Sequence, residues 1–493
     1  MLKKINLLYV ALGGGMLCTL VHLIFSVDLY RDSAGVYVYM ARALSTGNFS
    51  EAFHPGIPHL NIFCAFPFTL VGLSPEKSVT LVSCLFYLAT IPFLYFLLRE
   101  FIPEKLAGTG AVLFALSPRI IRFFCAALID SGKVFFMIAG LYYGYKIIKS
   151  RFSSWLAAVG FGVSLGLLAL SRSEGIGNAV FLFFCIGISC CKEIYNSKKS
   201  AAFLKLLVSA AVAGILLVSR IIISGVFCGQ WIYDKRINDG ICKILSFLTG
   251  SGIAATDISV DAFDSSWGHL LKQNIRGANE LYLVFSLLGL ALLVMVHFRK
   301  NNIHLFPSGN VPGFIRWHNF YWVFLFSIIF NMLLFKASKI LAHRYFLLNI
   351  PLLMVFTLIG MYWLWCFVRP GILQKIMVFC CAVILFFQAY NGLSRCLSPE
   401  SRIDYNTGLY LKQNLRPGEV VFFGKAASVF YYSELPRAVP IEAKPVDLNQ
   451  FTDFKYVICT DKDRNRMVCE SRNDLREIKI PVKNNVRVFE KIK

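Results

Sequence analysis

Four groups of residues in this chain have types and spacing suited to chemistry. Asp32 stands in the run Arg31-Asp32-Ser33, and the residues after it repeat helically, with Val36, Tyr39, Met40 and Leu44 on one face. An aspartate at that point serves either as a helix N-cap, worth ~1 kcal/mol, or as a general base facing a cavity. Asp130 is the second. It interrupts the apolar stretch 120–140, where Arg122, Ser131 and Lys133 are the other polar residues. A charge at membrane depth costs ~2.5–3.5 kcal/mol and usually faces a wet cavity or the protein interior. The bland reading is an interfacial charge paired to Arg122 or Lys133. The third group is Ser171-Arg172-Ser173-Glu174-Gly175, whose Arg172 and Glu174 either pair with each other or line the same cavity. The fourth comprises Lys336 and Lys339, then His343, Arg344 and Tyr345. An anionic partner such as phosphate would explain that basic cluster, because Arg grips phosphate bidentately. A solvated or snorkelling cluster is the alternative.

The elements that must carry these residues are membrane helices. Of 493 residues, 57% are hydrophobic and 16% charged, whereas a soluble domain carries about 25% charged residues. A bilayer core of ~30 Å needs about 20 mostly apolar residues in a helix. Segments near 6–27, 78–98, 106–124, 132–148, 154–171, 177–191, 204–225, 281–297, 319–338, 345–367 and 375–391 are predicted as eleven spans. Residues 59–73 are apolar but short and interrupted by Pro67, and are expected to lie along the outer interface. The first apolar run is followed by Asp28 and Tyr30 with no small-residue cleavage site, which favours a signal anchor.

The net charge of +22 sets orientation rather than nucleic-acid binding, because the basic residues sit in short loops. With Lys3 and Lys4 in the cytoplasm, alternate loops hold Arg99 and Lys105, then Lys146, Lys149 and Arg151, then Lys192, Lys198, Lys199 and Lys205, then Arg299, Lys300 and Arg316, and finally Arg369 and Lys375. The three longest polar stretches, 28–77, 226–280 and 392–493, then share the opposite face. Residues 1–397 read as a transmembrane domain with a first outer loop at 28–77 and a long outer loop at 226–280. Residues 398–493 read as a small soluble extracytoplasmic α/β domain. Its helix is expected over Tyr405–Leu415, with a second short one over Ala426–Ser433. Its strands are expected at Glu419–Phe423, Tyr456–Thr460, Glu477–Pro481 and Val486–Lys491.

Most of the fifteen cysteines lie in apolar runs and act as small hydrophobes. None has metal spacing, and a bridge between Cys228 and Cys242 is not favoured. Asp257, Asp261 and Asp264 form an acidic run in the long loop. Hard cations take oxygen ligands, but the run lacks fixed ligand spacing. No metal or other cofactor is therefore expected.

The order of the motifs resembles GT-C membrane glycosyltransferases, in the branch of protein O-mannosyltransferases and lipid A aminoarabinose transferases. The matching pieces are Arg31 to Leu44, His54-Pro55-Gly56-Ile57-Pro58-His59, Gly72-Leu73-Ser74-Pro75-Glu76, Arg99, Ser117-Pro118-Arg119 through Asp130, Arg172 to Gly175, Arg344-Tyr345 with Pro351, and the tail from Tyr410. The resemblance implies a mainly α fold, a GT-C-like bundle of about eleven spans with the outer α/β domain. It places the catalytic base at Asp32 and a second carboxylate at Asp130. The family's Lys-Pro-Pro, whose Lys meets the carrier phosphate, is here Pro55-Gly56-Ile57-Pro58 without a Lys. The donor phosphate is therefore expected to be held by a choice among Arg122, Arg172, Lys336, Lys339, Arg344 and Tyr345. Arg31, His54, His59 and Glu174 are expected to line the acceptor side or the cavity.

The function expected is inverting transfer of a sugar from a polyprenyl-phosphate donor to a hydroxyl of a lipid, glycan or protein acceptor. It would take place on the outer face of a bacterial inner membrane, among membrane lipids and with no nucleic acid. The alternative is a transporter or flippase of lipid-linked sugar intermediates. Transporters often show internal repeats, and no convincing repeat is present.

Overall fold

A computed structural model of the chain describes residues 6–25, 36–53, 57–197, 201–229, 231, 268, 272, 280–298, 320–337, 343–367, 372–397, 403–414, 421–423, 455–460, 469–478 and 486–491. Each of the eleven apolar segments predicted as a span is helical. They are α1 (Leu7–Phe25), α5 (Pro75–Arg99), α6 with α7 (Glu104–Ala115 and Pro118–Phe124), α8 (Asp130–Lys149), α9 (Trp155–Ser171), α10 (Gly175–Ser197), α11 (Ala201–Cys228), α12 (Glu280–Phe298), α13 (Tyr321–Ala337), α14 (Asn349–Phe367) and α15 (Ile372–Leu397). A 3-10 turn, His343–Leu348, leads into α14.

Five described helices are long and apolar enough to cross a bilayer: Leu7–Phe25, Pro75–Arg99, Gly175–Tyr195, Ala202–Phe227 and Phe346–Cys366. The pair α6 and α7, bent by 56°, makes a sixth if it counts as one span. The chain is an integral membrane protein.

The bend has a local cause. Ser117 stays extended and Pro118 takes the first position of α7, where its missing N–H costs nothing but ends the preceding helix. Beyond α7 the chain stays buried through Cys125–Ile129 before α8 begins. Non-helical backbone at such depth needs partners inside the protein. The carbonyl of Leu128 accepts from Ser83 Oγ at 2.5 Å and from Asn61 Nδ2 at 3.4 Å.

The segment between α1 and α5 contains three short helices, α2 (Val38–Ser45), α3 (Phe49–Ala52) and α4 (Leu60–Leu70). α4 is the short apolar element carrying Pro67, and it packs on α5 and α2. In α2 the buried residues include Val38, Met40, Ala41 and Leu44. Tyr39, expected on that face, lies instead at the rim, where its hydroxyl donates to Glu51 of α3. The reason is packing direction: α2 turns Val38 and Ala41 inward, which leaves Tyr39 a polar neighbour rather than a core one.

In the tail, α16 (Ile403–Asn414) precedes a four-stranded sheet of β1 (Val421–Phe423), β2 (Tyr456–Thr460), β3 (Leu475–Ile478) and β4 (Val486–Lys491). The order is β1-β2-β4-β3, with β1 parallel to β2 and the other pairs antiparallel. Val457, Ile458, Val488 and Phe489 are buried. The second tail helix expected over Ala426–Ser433 lies outside the described residues.

Candidate active site

At the start of α8 and the turn between α9 and α10, four charged side chains meet out of solvent. Arg172 Nη1 donates to Asp130 Oδ1 at 2.5 Å, and Arg172 Nε donates to Glu174 Oε2 at 3.1 Å. Asp130, Arg172, Glu174 and Lys133 are 4%, 6%, 7% and 2% exposed, so the pairs are shielded from the screening that weakens surface ion pairs. Lys133, one turn into α8, adds its charge to the same group. Burial would push the Glu174 carboxyl up, but Arg172 and Lys133 outweigh it and hold it at about 2.

Local sequence explains why these groups converge. Ser171 Oγ bonds back to Leu168 O at 2.6 Å at the end of α9. Arg172 is extended, and Gly175 N closes a turn onto Arg172 O at 2.9 Å. Gly175 is required there by a close approach, because a Cβ would sit 2.0 Å from Leu168 O. α9 and α10 flank α8, so this turn meets the first turn of α8.

The pairing of Asp130 differs from the expectation. Arg172, which was not expected, is its hydrogen-bonded partner, and Lys133, one of the two partners expected, adds its charge to the same group. Arg122 is exposed on α7, with its guanidinium 5.8 Å from the Phe123 ring centroid. Arg172, expected beside the donor phosphate, bonds two carboxylates through Nη1 and Nε. The Asp130–Arg172 contact was out of reach of the sequence because the two residues lie 42 positions apart, which no local pattern spans.

His59, expected to line the cavity, is 4% exposed and packs edge-on against Phe53 and Phe63, with ring centroids at 5.3 Å and 6.4 Å. Glu174 sits in the buried cluster as part of an ion pair, one of the two readings open for it. The 3-10 turn packs against α7 and α8, which brings the segment of half-buried Arg344 to the same end of the bundle. Asp32, Arg31, His54 and Lys339 lie outside the described residues, as do the side chains of Lys336 and Tyr345. Asp257, Asp261, Asp264 and Cys242 lie outside them too. Among the described residues, no group of three His, Cys, Asp or Glu is placed to hold a metal ion.

Asn61, Asn178 and Arg220 are among the buried polar residues that escaped the sequence reading. Asn61 and Asn178 are 1% and 0% exposed; Asn61 bonds Leu128 O, and Asn178 Nδ2 bonds Glu174 O at 3.4 Å. Arg220 is 2% exposed on α11. Its signal was available: it is the lone charge between Lys205 and the end of that 28-residue helix.

A bundle of apolar helices entered by short helices after the first of them belongs to a defined class: the chain carries the fold of the GT-C membrane glycosyltransferases. The family model described as dolichyl-phosphate-mannose-protein mannosyltransferase matches residues 54–219. Among solved structures, the apo oligosaccharyltransferase of Archaeoglobus fulgidus is similar with a TM-score of 0.54 and 11% identity, over 92% of this chain and 70% of that one. ArnT of Cupriavidus metallidurans bound to undecaprenyl phosphate is similar with a TM-score of 0.47 and 12% identity, over 99% of this chain and 98% of that one. At these identities the likeness is one of fold. A comparison with curated proteins finds no match.

Proposed function

We propose that this protein is an inverting glycosyltransferase that moves a sugar from a polyprenyl-phosphate donor to an acceptor hydroxyl on the outer face of a bacterial plasma membrane. The observation that carries the reading is the buried Asp130–Arg172–Glu174 cluster at one end of a GT-C bundle. A buried carboxylate with one oxygen unmet is suited to recognising a hydroxyl. The donor class rests on the family whose model matches residues 54–219, which is described by its use of dolichyl-phosphate-mannose.

In the mechanism, Asp32 accepts the proton of the acceptor hydroxyl as its oxygen attacks the anomeric carbon. The bond from that carbon to the phosphate oxygen breaks, polyprenyl phosphate leaves with the electron pair, and configuration inverts. Attack and departure on opposite faces follow from a single displacement with one base. The phosphate is held by a choice among Arg122, Arg172, Lys336, Lys339, Arg344 and Tyr345. A monophosphate neutralised by such cations needs no metal.

The test is direct. Purified full-length protein in lipid nanodiscs is given labelled undecaprenyl-phosphate sugars and candidate acceptors, and product is read by mass spectrometry. Transfer that Asp32→Asn abolishes in a folded protein is the expected result. Lipid movement across vesicles without transfer would establish the transporter reading in its place.

A further inference from the structure

The two oxygens of Asp130 stand in different situations. Oδ1 accepts from Arg172. Oδ2 is buried and has no hydrogen-bond partner among the described residues, and the same holds for Oγ of the fully buried neighbour Ser131. An unmet buried acceptor costs ~1–3 kcal/mol, and where a native protein keeps one it is commonly for a ligand or for catalysis.

Charge decides what the ligand is. Asp130 and Glu174 carry two negative charges, while Arg172 and Lys133 carry two positive ones, so the cluster is neutral overall. Within this cluster of described residues a phosphate would find no positive surplus, and it would be set against a carboxylate oxygen. An ionised carboxylate only accepts hydrogen bonds, whereas a serine hydroxyl both donates and accepts. A neutral ligand with several O–H donors satisfies both atoms, and its bonds to Asp130 would be the stronger, charge-assisted kind.

We infer, on the strength of the glycosyltransferase reading, that Asp130 Oδ2 and Ser131 Oγ form the subsite for hydroxyls of the transferred sugar. Arg172, itself fixed by Glu174, is the positioning residue that turns the Asp130 carboxylate toward that sugar. The subsite reads the sugar and leaves the donor phosphate to cations elsewhere. A site built to bond a hydroxyl strongly rejects a ligand that lacks it, so this pair would set sugar selectivity.

The experiment compares two lipids on purified full-length protein in nanodiscs: bare undecaprenyl phosphate, and whichever of the mannose-, glucose- and arabinose-linked undecaprenyl phosphates the wild type transfers. Dissociation constants and the KM and kcat of transfer are measured for Asp130→Asn, Ser131→Ala, Arg172→Gln and Arg172→Lys. Asp130→Asn is expected to weaken the sugar-linked lipid about tenfold, the scale of one lost charge-assisted bond, and to leave the bare lipid unchanged. Ser131→Ala, a one-atom deletion, should act in the same direction and carries the test if Asp130→Asn misfolds. Arg172→Gln should raise KM for the sugar-linked donor, with part of the loss rescued by Arg172→Lys. Equal weakening of both lipids would make the cluster a phosphate site and overturn the inference, as would no change in either. A wild type that transfers none of the three sugars would instead count against the glycosyltransferase reading itself.

Discussion

Gly289 of α12 and Gly360 of α14 stand backbone to backbone: a Cβ on Gly289 would lie 3.0 Å from Gly360 N and 1.9 Å from Phe356 O. Within a turn, Ser286 Oγ and Thr357 Oγ1 are 2.8 Å apart. Helices in lipid gain little from burying apolar surface against each other, so close backbone approach at small residues carries the association. Gly289→Leu or Gly360→Leu should force the two helices apart and destabilise by about 1–3 kcal/mol or more. A lowered thermal midpoint in detergent would show it. Ser286→Ala should cost far less, near the ~0.6 kcal/mol average of such hydrogen bonds.

Arg172 holds two carboxylates that cannot reach water. Arg172→Gln leaves both Asp130 and Glu174 buried without their cation, which is expected to cost about 3–5 kcal/mol. Adding Asp130→Asn to that variant removes one stranded charge and should recover part of the loss. Denaturant titration of the two variants checks the ordering; a double variant no more stable than the single would refute it.

The acid limb of stability follows from two carboxylates with lowered values. Glu174 falls from the ordinary 4.5 to about 2, so its contribution is complete above about 4.5 and is lost as pH falls toward about 2. Burial would raise Glu100, but its hydrogen bonds to Lys146 at 2.6 Å and Lys149 at 2.5 Å prevail and lower it. Its contribution likewise vanishes as pH drops below the usual carboxylate range. Melting temperatures at stepped pH should therefore be level from neutral to about 5 and then decline. Glu100→Gln should soften the first part of that decline and shift neutral stability by under about 1 kcal/mol, since Lys149 is 56% exposed. An unchanged profile in Glu100→Gln would remove that residue from the account.

Transfer should persist in EDTA. The expectation rests on phosphate neutralisation by Arg and Lys rather than by a divalent ion. Loss of activity in EDTA, restored by manganese, would instead direct attention to Asp257, Asp261 and Asp264.

The same Glu100 contacts bear on how the topology could be read without coordinates. Basic loops at 99–105 and 146–151 were assigned to one face by charge alone, and the structure ties them together through one carboxylate. Apolar run length likewise located each helix, because lipid demands ~20 residues of satisfied backbone. The tail strands at Tyr456–Thr460 and Val486–Lys491 emerged at the predicted residues, since a short β-branched run between polar breaks has few other uses.

What the amino-acid sequence determined was therefore local: which segments are helices or strands, which loops are basic, and which charges stand in apolar surroundings and must have a reason. Only the tertiary structure decided which of those charges meet. Asp130 was legible as an anomaly, but its partner was not, because Arg172 reaches it through the packing of α8, α9 and α10 and a turn shaped by Gly175. Hydropathy and periodicity act over a few residues, whereas an ion pair depends on distance in space. A chain folded into antiparallel helices brings together residues whose separation in sequence carries no trace of their contact.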